Sequence, residues 1–185
     1  MKLLVYGSSE FGAVLRDVLA DCGHEFGGYI DDVNPANPGV LGSFDQVRAS
    51  HGPASVGIVL AIGYKHLEAR LRIYAAARAL GYRFPAMVHP AAHVHRSAAV
   101  GEGAVVMAGA LVDRNARLGE ACVLWPGVNV SHDSVVGANT FASPSAVVCG
   151  FASVGTSCFL GAGSIVADHR AVPDGSFVKA GSVFG

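Results

Sequence analysis

From Val88 onward the chain keeps a strict beat of six residues. The first residues of successive sextets are Val88, Val94, Val100, Val106, Val112, Leu118, Leu124, Val130, Val136, Ala142, Val148, Val154, Leu160, Val166, Val172 and Val178. Fifteen of these sixteen are Val or Leu, and the register runs for 96 residues without an insertion. The fifth residues, from Ala92 to Ser182, are all small except Arg170. A period of six is neither the 3.6 of a helix nor the two of an alternating strand. It predicts short strands joined by tight corners, three strands closing one triangular coil, with the aliphatic side chain filling the prism. Gly and Asn recur near the corners (Gly103, Gly109, Asn115, Gly127, Asn139, Gly163, Gly175, Gly181), where positive φ is needed. Coils of this kind stack as a solenoid, each contacting only its neighbours, and the repeat is long enough for about five of them. The rival arrangement, a sandwich of short strands, fits the unbroken phase less well.

The first half has a different grammar. Lys2 to Tyr6 is an apolar, strand-like run that meets Gly7-Ser8-Ser9-Glu10-Phe11-Gly12. A helical pattern follows, with Val14, Leu15, Val18 and Leu19 on one face and Cys22-Gly23 as its stop. Phe26 to Ile30 predicts a second strand closing on Asp31-Asp32, and Asn34 to Gly39 a loop. Val56 to Ile62 predicts a third strand ending at Gly63, and His66 to Leu80 a second helix. Strand, helix and strand around a Gly-rich first turn predict a Rossmann-like βαβ unit that receives a phosphate at a helix N-terminus. The turn lacks the Gly-Lys-Ser/Thr of a P-loop, which argues against ATP hydrolysis. Asp31 lies 24 residues after Gly7, a fair position for a carboxylate that meets a ribose hydroxyl. The bland alternative is that Gly7 and Gly12 only shape a turn and Asp31-Asp32 only cap a strand. The unit is short for a dinucleotide and better suited to a mononucleotide.

Composition narrows the partners. There are 13 basic and 14 acidic residues, a net charge of −1, and no basic stripe, so nucleic acid is a poor candidate. No apolar run approaches the roughly 20 residues needed to cross a bilayer, and the first residues turn polar too soon for a signal peptide. Cys22, Cys122, Cys149 and Cys158 match no zinc spacing, and read as reduced thiols of a cytoplasmic protein. His89, His93 and His95 cluster without an acidic or Cys ligand nearby, so no metal is expected.

His132 is the residue whose chemistry stands out. It occupies the third place of its sextet, at a corner and pointing outward, with Asp133 directly after it. A neutral imidazole is the natural base near pH 7, and a neighbouring carboxylate can orient it and stabilise the imidazolium. A solvent-facing corner histidine is the alternative. The coil period stacks His132 with Arg96 and Arg114 on one side and with Gly150 and Asp168 on the other. It stacks Asp133 with Ser97, Asn115, Phe151 and His169. Gly150 is expected to leave open space beside the base, Arg114 to disfavour its protonation, and Arg170 to mark a local bulge next to His169.

Stretches in both halves carry a resemblance: Gly7–Gly12, Gly28-Tyr29-Ile30-Asp31-Asp32, Ala61-Ile62-Gly63, Val88-His89-Pro90, the run Val130-Ser131-His132-Asp133-Ser134-Val135-Val136-Gly137, and Cys158-Phe159-Leu160-Gly161-Ala162. In this order they resemble the bacterial hexapeptide-repeat acyltransferases that acetylate nucleotide-linked amino sugars or sialic acids. These include the bacillosamine N-acetyltransferases and the sialic acid O-acetyltransferases. The resemblance implies residues 1–85 as a nucleotide-sugar-binding Rossmann-like domain and residues 86–185 as a left-handed parallel β-helix acyltransferase domain. It implies acetyl-CoA as co-substrate, a homotrimer with active sites between neighbouring helices, and transfer to an amino group with His132 as general base and Asp133 as its partner. Substrate contacts would come from Gly7, Ser8, Ser9, Glu10, Phe11, Asp31, Asp32, Ile62 and Gly63, and acetyl-CoA contacts from Phe141, Gly150, Ala162 and Ala180. O-acetylation of a sialic-acid-like sugar and a non-catalytic trimeric scaffold are the alternatives. Phe141 stands where members carry a histidine that contacts acetyl-CoA, and Trp125 where they carry asparagine. Either aromatic residue can stack on a ligand or pack at a trimer seam.

Overall fold

The computed structural model describes all 185 residues, which divide into two compact units, Met1–Pro85 and Ala86–Gly185. In the first, four parallel strands lie in the order β3-β2-β1-β4. They are β1 (Lys2–Tyr6), β2 (Glu25–Ile30), β3 (Val40–Gly42) and β4 (Gly57–Leu60). Helix α1 (Glu10–Asp21) follows β1. The single turn α2 (Phe44–Val47) follows β3, and α3 (Leu67–Ala79) follows β4 through a 3₁₀ turn at Tyr64–His66. Leu3, Leu4, Val5, Ile58, Val59 and Leu60 are buried, the continuous apolar pattern of parallel strands covered on both faces. Leu15 and Leu19 of the expected α1 face are fully buried, whereas Val14 is exposed. Strand β3 and α2 lie just beyond the expected Asn34–Gly39 loop, in residues where no periodic sequence pattern marks an element. The capping box of Ser43 and Gln46 is the local signal that starts α2.

The β1–α1 turn is built by close approach. Gly7 has φ 112°, and a Cβ there would lie 2.7 Å from the Ala61 carbonyl oxygen. A Cβ on Gly12 would lie 2.2 Å from the Gly7 carbonyl oxygen. Both positions therefore demand glycine, the first for the turn and the second for helix against turn. Asp31 ties the turn down. Its Oδ2 accepts from the Ser8 N–H (2.9 Å) and Oγ (2.5 Å), and its Oδ1 from the N–H groups of Val33 (2.9 Å) and Asn34 (2.7 Å). Burial alone would raise this carboxyl, but the hydrogen bonds outweigh it and hold it at about 2.

The second unit is a parallel β-solenoid of seventeen two-residue strands in three sheets of five, six and six. Strand partners sit eighteen residues apart throughout, as in Arg117↔Val135 and Leu124↔Ala142. The coil is left-handed, against the usual right-handed crossover preference. First-position side chains from Val106 to Val178 and fifth-position residues from Ala104 to Ser164 are buried inside the prism. Val88 is 37% exposed, because the first coil is covered by solenoid on one side only. At the other end Phe184 continues the beat and packs on the core.

Each corner from Gly103 to Gly181 has its fourth residue at positive φ. Six are glycines, and eight are not: Asn115, Ala121, Asp133, Asn139, Ser145, Phe151, Ser157 and His169. The second-position carbonyl accepts from the fifth-position N–H, as in Ala116 to Asp113 (3.0 Å), the pattern of a turn whose third residue is left-handed. Arg170 causes no bulge. The register passes through it unshifted and His169 has the φ of every other corner, since the Arg170 side chain is exposed instead of entering the prism.

Two outcomes follow. Leu160→Ala opens a cavity where a single layer of side chains fills the prism, and chemical denaturation should show a loss of about 2–5 kcal/mol, whereas Val88→Ala should cost under about 1 kcal/mol. The Asp31 carboxyl is depressed from 3.8 to about 2 on folding. It therefore contributes about 2 kcal/mol that is fully present above pH 4 and lost as pH falls through 2. Asp31→Asn should lower stability by that order at pH 7, and denaturation curves of variant and wild type should converge near pH 2.

Candidate active site

His132 and Asp133 form the corner between the sheet containing Asn129–Val130 and the sheet containing Val135–Val136. The turn throws both side chains outward, because the first and fifth residues, Val130 and Ser134, take the interior. His132 Nδ1 lies 3.1 Å from Asp133 Oδ2, with the imidazole 46% exposed and the carboxylate 23%. Asp133 is itself held. Its Oδ1 accepts from Asn115 Nδ2 at 2.8 Å, and Arg114 Nη2 approaches Oδ2 at 3.4 Å. Asn115, His132 and the Arg114 charge, in that order, keep the Asp133 carboxyl below its ordinary range. With an ionised carboxylate on Nδ1, that nitrogen carries the proton, and Nε2 is left as the basic nitrogen.

The stacking read from the period is borne out at this corner, with two corrections. Gly150 does lie beside His132, but the space is filled by the imidazole itself. A Cβ at 150 would lie 2.8 Å from Cε1 and 2.9 Å from Nε2. Arg114 does not face the imidazole alone; opposite charge draws its guanidinium to Asp133. Phe151 stands edge-on to His132 with ring centroids 5.3 Å apart, and His169 stacks on Phe151 at 4.9 Å. Below Asp133, toward the start of the solenoid, a cleft of about 640 Å³ is lined by Ser97, Ala99, Asn115, Arg117, Asp133 and Val135.

Of the residues expected at acetyl-CoA, only Gly150 shares this corner. Ala162 and Ala180 stack on one another at a different corner, between the Phe159–Leu160 and Ile165–Val166 strands, and both are exposed. Phe141 is 5% exposed, packed between Trp125 (6.1 Å) and Phe159 (6.2 Å) in an aromatic row that ends at Phe177. One chain therefore does not gather these four residues around His132.

In the first unit the expected substrate residues line two clefts at the carboxyl ends of the parallel strands. Gly7, Asp31, Asp32 and Ile62 face a cleft of about 360 Å³ whose far wall is His66, Ala69 and Ile73. Ser9, Glu10, Phe11 and Gly63 line a second of about 480 Å³ with Tyr64, Lys65 and His66. The strand order reverses between β1 and β4, so both clefts lie at the switch point where open parallel sheets receive ligands. Ser8 is turned to Asp31 and Asn37. Asp31 already accepts four hydrogen bonds, so a ribose hydroxyl would share an occupied oxygen. Asp32 accepts from the Tyr6 hydroxyl and from the Phe44 N–H (2.8 Å). Burial and this carboxylate together push the Tyr6 phenol well above its ordinary range. The wall residues His66, Ala69 and Ile73 were missed in the sequence; Ala69 and Ile73, four residues apart, mark one face of α3, and His66 is the residue that caps its start. No group of three or more His, Cys, Asp or Glu is placed to hold a metal, and no helix is long and apolar enough to cross a membrane.

Residues 2–76 match the PglD N-terminal domain family. No curated protein sequence matches the chain. The acetyltransferase domain of PglB from Neisseria gonorrhoeae, in complex with acetyl coenzyme A, superposes with a TM-score of 0.89 at 29% identity, covering 100% of this chain and 90% of that one. PerB from Caulobacter crescentus, in complex with CoA and GDP-perosamine, gives 0.90 at 27% identity, over 100% and 89%. A histidine-to-asparagine mutant of perosamine N-acetyltransferase from the same organism, in complex with the same two molecules, gives 0.77 at 25% identity, over 97% and 93%. The first unit thus matches the PglD N-terminal domain family, and the whole chain is similar in fold to these acetyltransferases.

Proposed function

We propose that the protein transfers the acetyl group of acetyl-CoA to the amino group of a nucleotide-linked amino sugar, with His132 as general base. The observation that carries this reading is the corner itself. An outward imidazole has Nδ1 against a carboxylate that is fixed by Asn115 and Arg114. In the transfer, Nε2 takes the proton of the attacking amine as its nitrogen forms a bond to the thioester carbonyl carbon. The tetrahedral adduct collapses with cleavage of the C–S bond, and the imidazolium returns the proton to the departing thiolate. Asp133 stabilises the imidazolium between the two steps. The two clefts at the sheet switch point are the proposed seat of the nucleotide part of the acceptor. Likeness to a perosamine N-acetyltransferase and to PerB with GDP-perosamine favours an amine over the hydroxyl of a sialic-acid-like sugar.

We propose a homotrimer on the same footing. The separation of Phe141, Ala162 and Ala180 from His132 within one chain is what supports it, because neighbouring solenoids can bring one chain's alanine corner to another's histidine corner. The exposed Phe177 (68%) and Val183 (64%) offer apolar area for such an assembly.

Release of CoA thiol, measured with a panel of nucleotide-linked amino sugars, should show turnover with at least one of them. His132→Ala should lower kcat by about 10²–10⁴-fold, and undiminished turnover in that variant sinks the assignment. Gly150→Ala forces a methyl group into the space of the imidazole. Its kcat should fall about 10–100-fold, while its melting temperature stays within a few degrees of wild type.

A further inference from the structure

Phe151 sits one coil beyond Asp133 in a conformation that its side chain resists. Its φ is 58°, a region that bulky residues rarely enter. The equivalent place is glycine at Gly103, Gly109, Gly127, Gly163, Gly175 and Gly181. Burial does not account for the ring, which is 53% exposed. Its contacts are with two histidines. It meets His132 at an interplanar angle of 85°, and His169, from the following coil, covers it at 6°. Around His132 the fixed neighbours are then Asp133 at Nδ1, the Gly150 backbone against Cε1 and Nε2, and the Phe151 ring. Asp133 alone fixes one ring nitrogen, and the imidazole can still swing about that contact. Phe151 and Gly150 remove the swing.

We infer that Phe151, braced by His169, is a positioning residue that sets the ring plane of His132 and presents Nε2 in one orientation to the acceptor. The role rests on His132 being the general base. It explains why a strained aromatic residue stands where the backbone prefers glycine: the strain is local, and the ring acts on the neighbouring imidazole.

The test uses the full chain and the substitution that the corner itself favours. Phe151→Gly relieves the positive φ, so its melting temperature should equal or exceed wild type, while kcat falls about tenfold and KM for both substrates stays within about twofold. Phe151→Tyr, which keeps the ring, should recover most of kcat. A second readout needs no turnover. The Cε1–H signal of His132, assigned by its loss in His132→Asn, should move in Phe151→Gly as the ring current disappears, and hold its place in Phe151→Tyr. Wild-type kcat in Phe151→Gly with an unmoved signal overturns the inference. So does a raised KM at unchanged kcat, which would make Phe151 a ligand contact. A moved signal in a protein that acetylates no sugar upholds the positioning and removes the acetyltransferase reading.

Discussion

One hydrogen bond repeated at the corners governs the solenoid. The N–H of a fourth-position residue donates to the third-position carbonyl of the coil before it, as in Asp133 to Arg114 (2.9 Å), Phe151 to His132 (3.3 Å) and His169 to Gly150 (3.2 Å). Residues that make that bond all stand at positive φ, whatever their side chain. Seven corners do so without glycine, at a cost of order 1 kcal/mol each. The stack tolerates this because an unpaired corner N–H, once covered by the next coil, would cost as much or more. Register, corner shape and side-chain columns are therefore not independent features. The bond that joins one coil to the next also decides which residues stand above one another on the outside.

That coupling is why so much of the solenoid was readable. A valine at every sixth place declares what lies inside, and adding eighteen names the neighbour of any outward residue. The period places Asn115, Asp133, Phe151 and His169 in one column. Asn115 bonds Asp133 and Phe151 stacks on His169, while the Phe151 ring leans to His132 of the adjacent column. What arithmetic does not supply is the direction in which a long side chain leans. Arg114 was set beside the imidazole and lies on the carboxylate, since side-chain torsions answer to charge and the backbone period does not contain them. The empty space assigned to Gly150 fails for the same reason: the histidine ring folds over it.

The first unit was legible in a different degree. Strong apolar runs and Gly-rich stops gave β1, β2, β4, α1 and α3 to within a few residues. Strand β3 is three residues long and partly exposed, and α2 is a single turn, so neither carries enough periodicity to register against a loop. Asp31 shows how spacing can suggest two roles. A carboxylate some twenty residues beyond the glycine turn can meet a sugar, and this one is buried and saturated by Ser8, Val33 and Asn34. Exposure and hydrogen-bond count separate those roles, and neither is written in the one-dimensional pattern.

The His132 corner unites the two kinds of constraint. Its position in the chain is dictated by the coil: third place, outward, with a left-handed residue after it. Its chemistry is set by what eighteen-residue stacking brings beside it. Asn115 and Arg114 come from one coil earlier and Gly150 and Phe151 from one later. A lone histidine on a surface turn would sample many ring orientations, and its carboxylate neighbour would follow. Here the carboxylate is pinned from the preceding coil and the ring is walled from the following one, so that the imidazole takes its geometry from three coils at once. A solenoid suits this role because its backbone spacing varies little from coil to coil. Groups held to a narrow range of positions are those that lower a barrier by orientation.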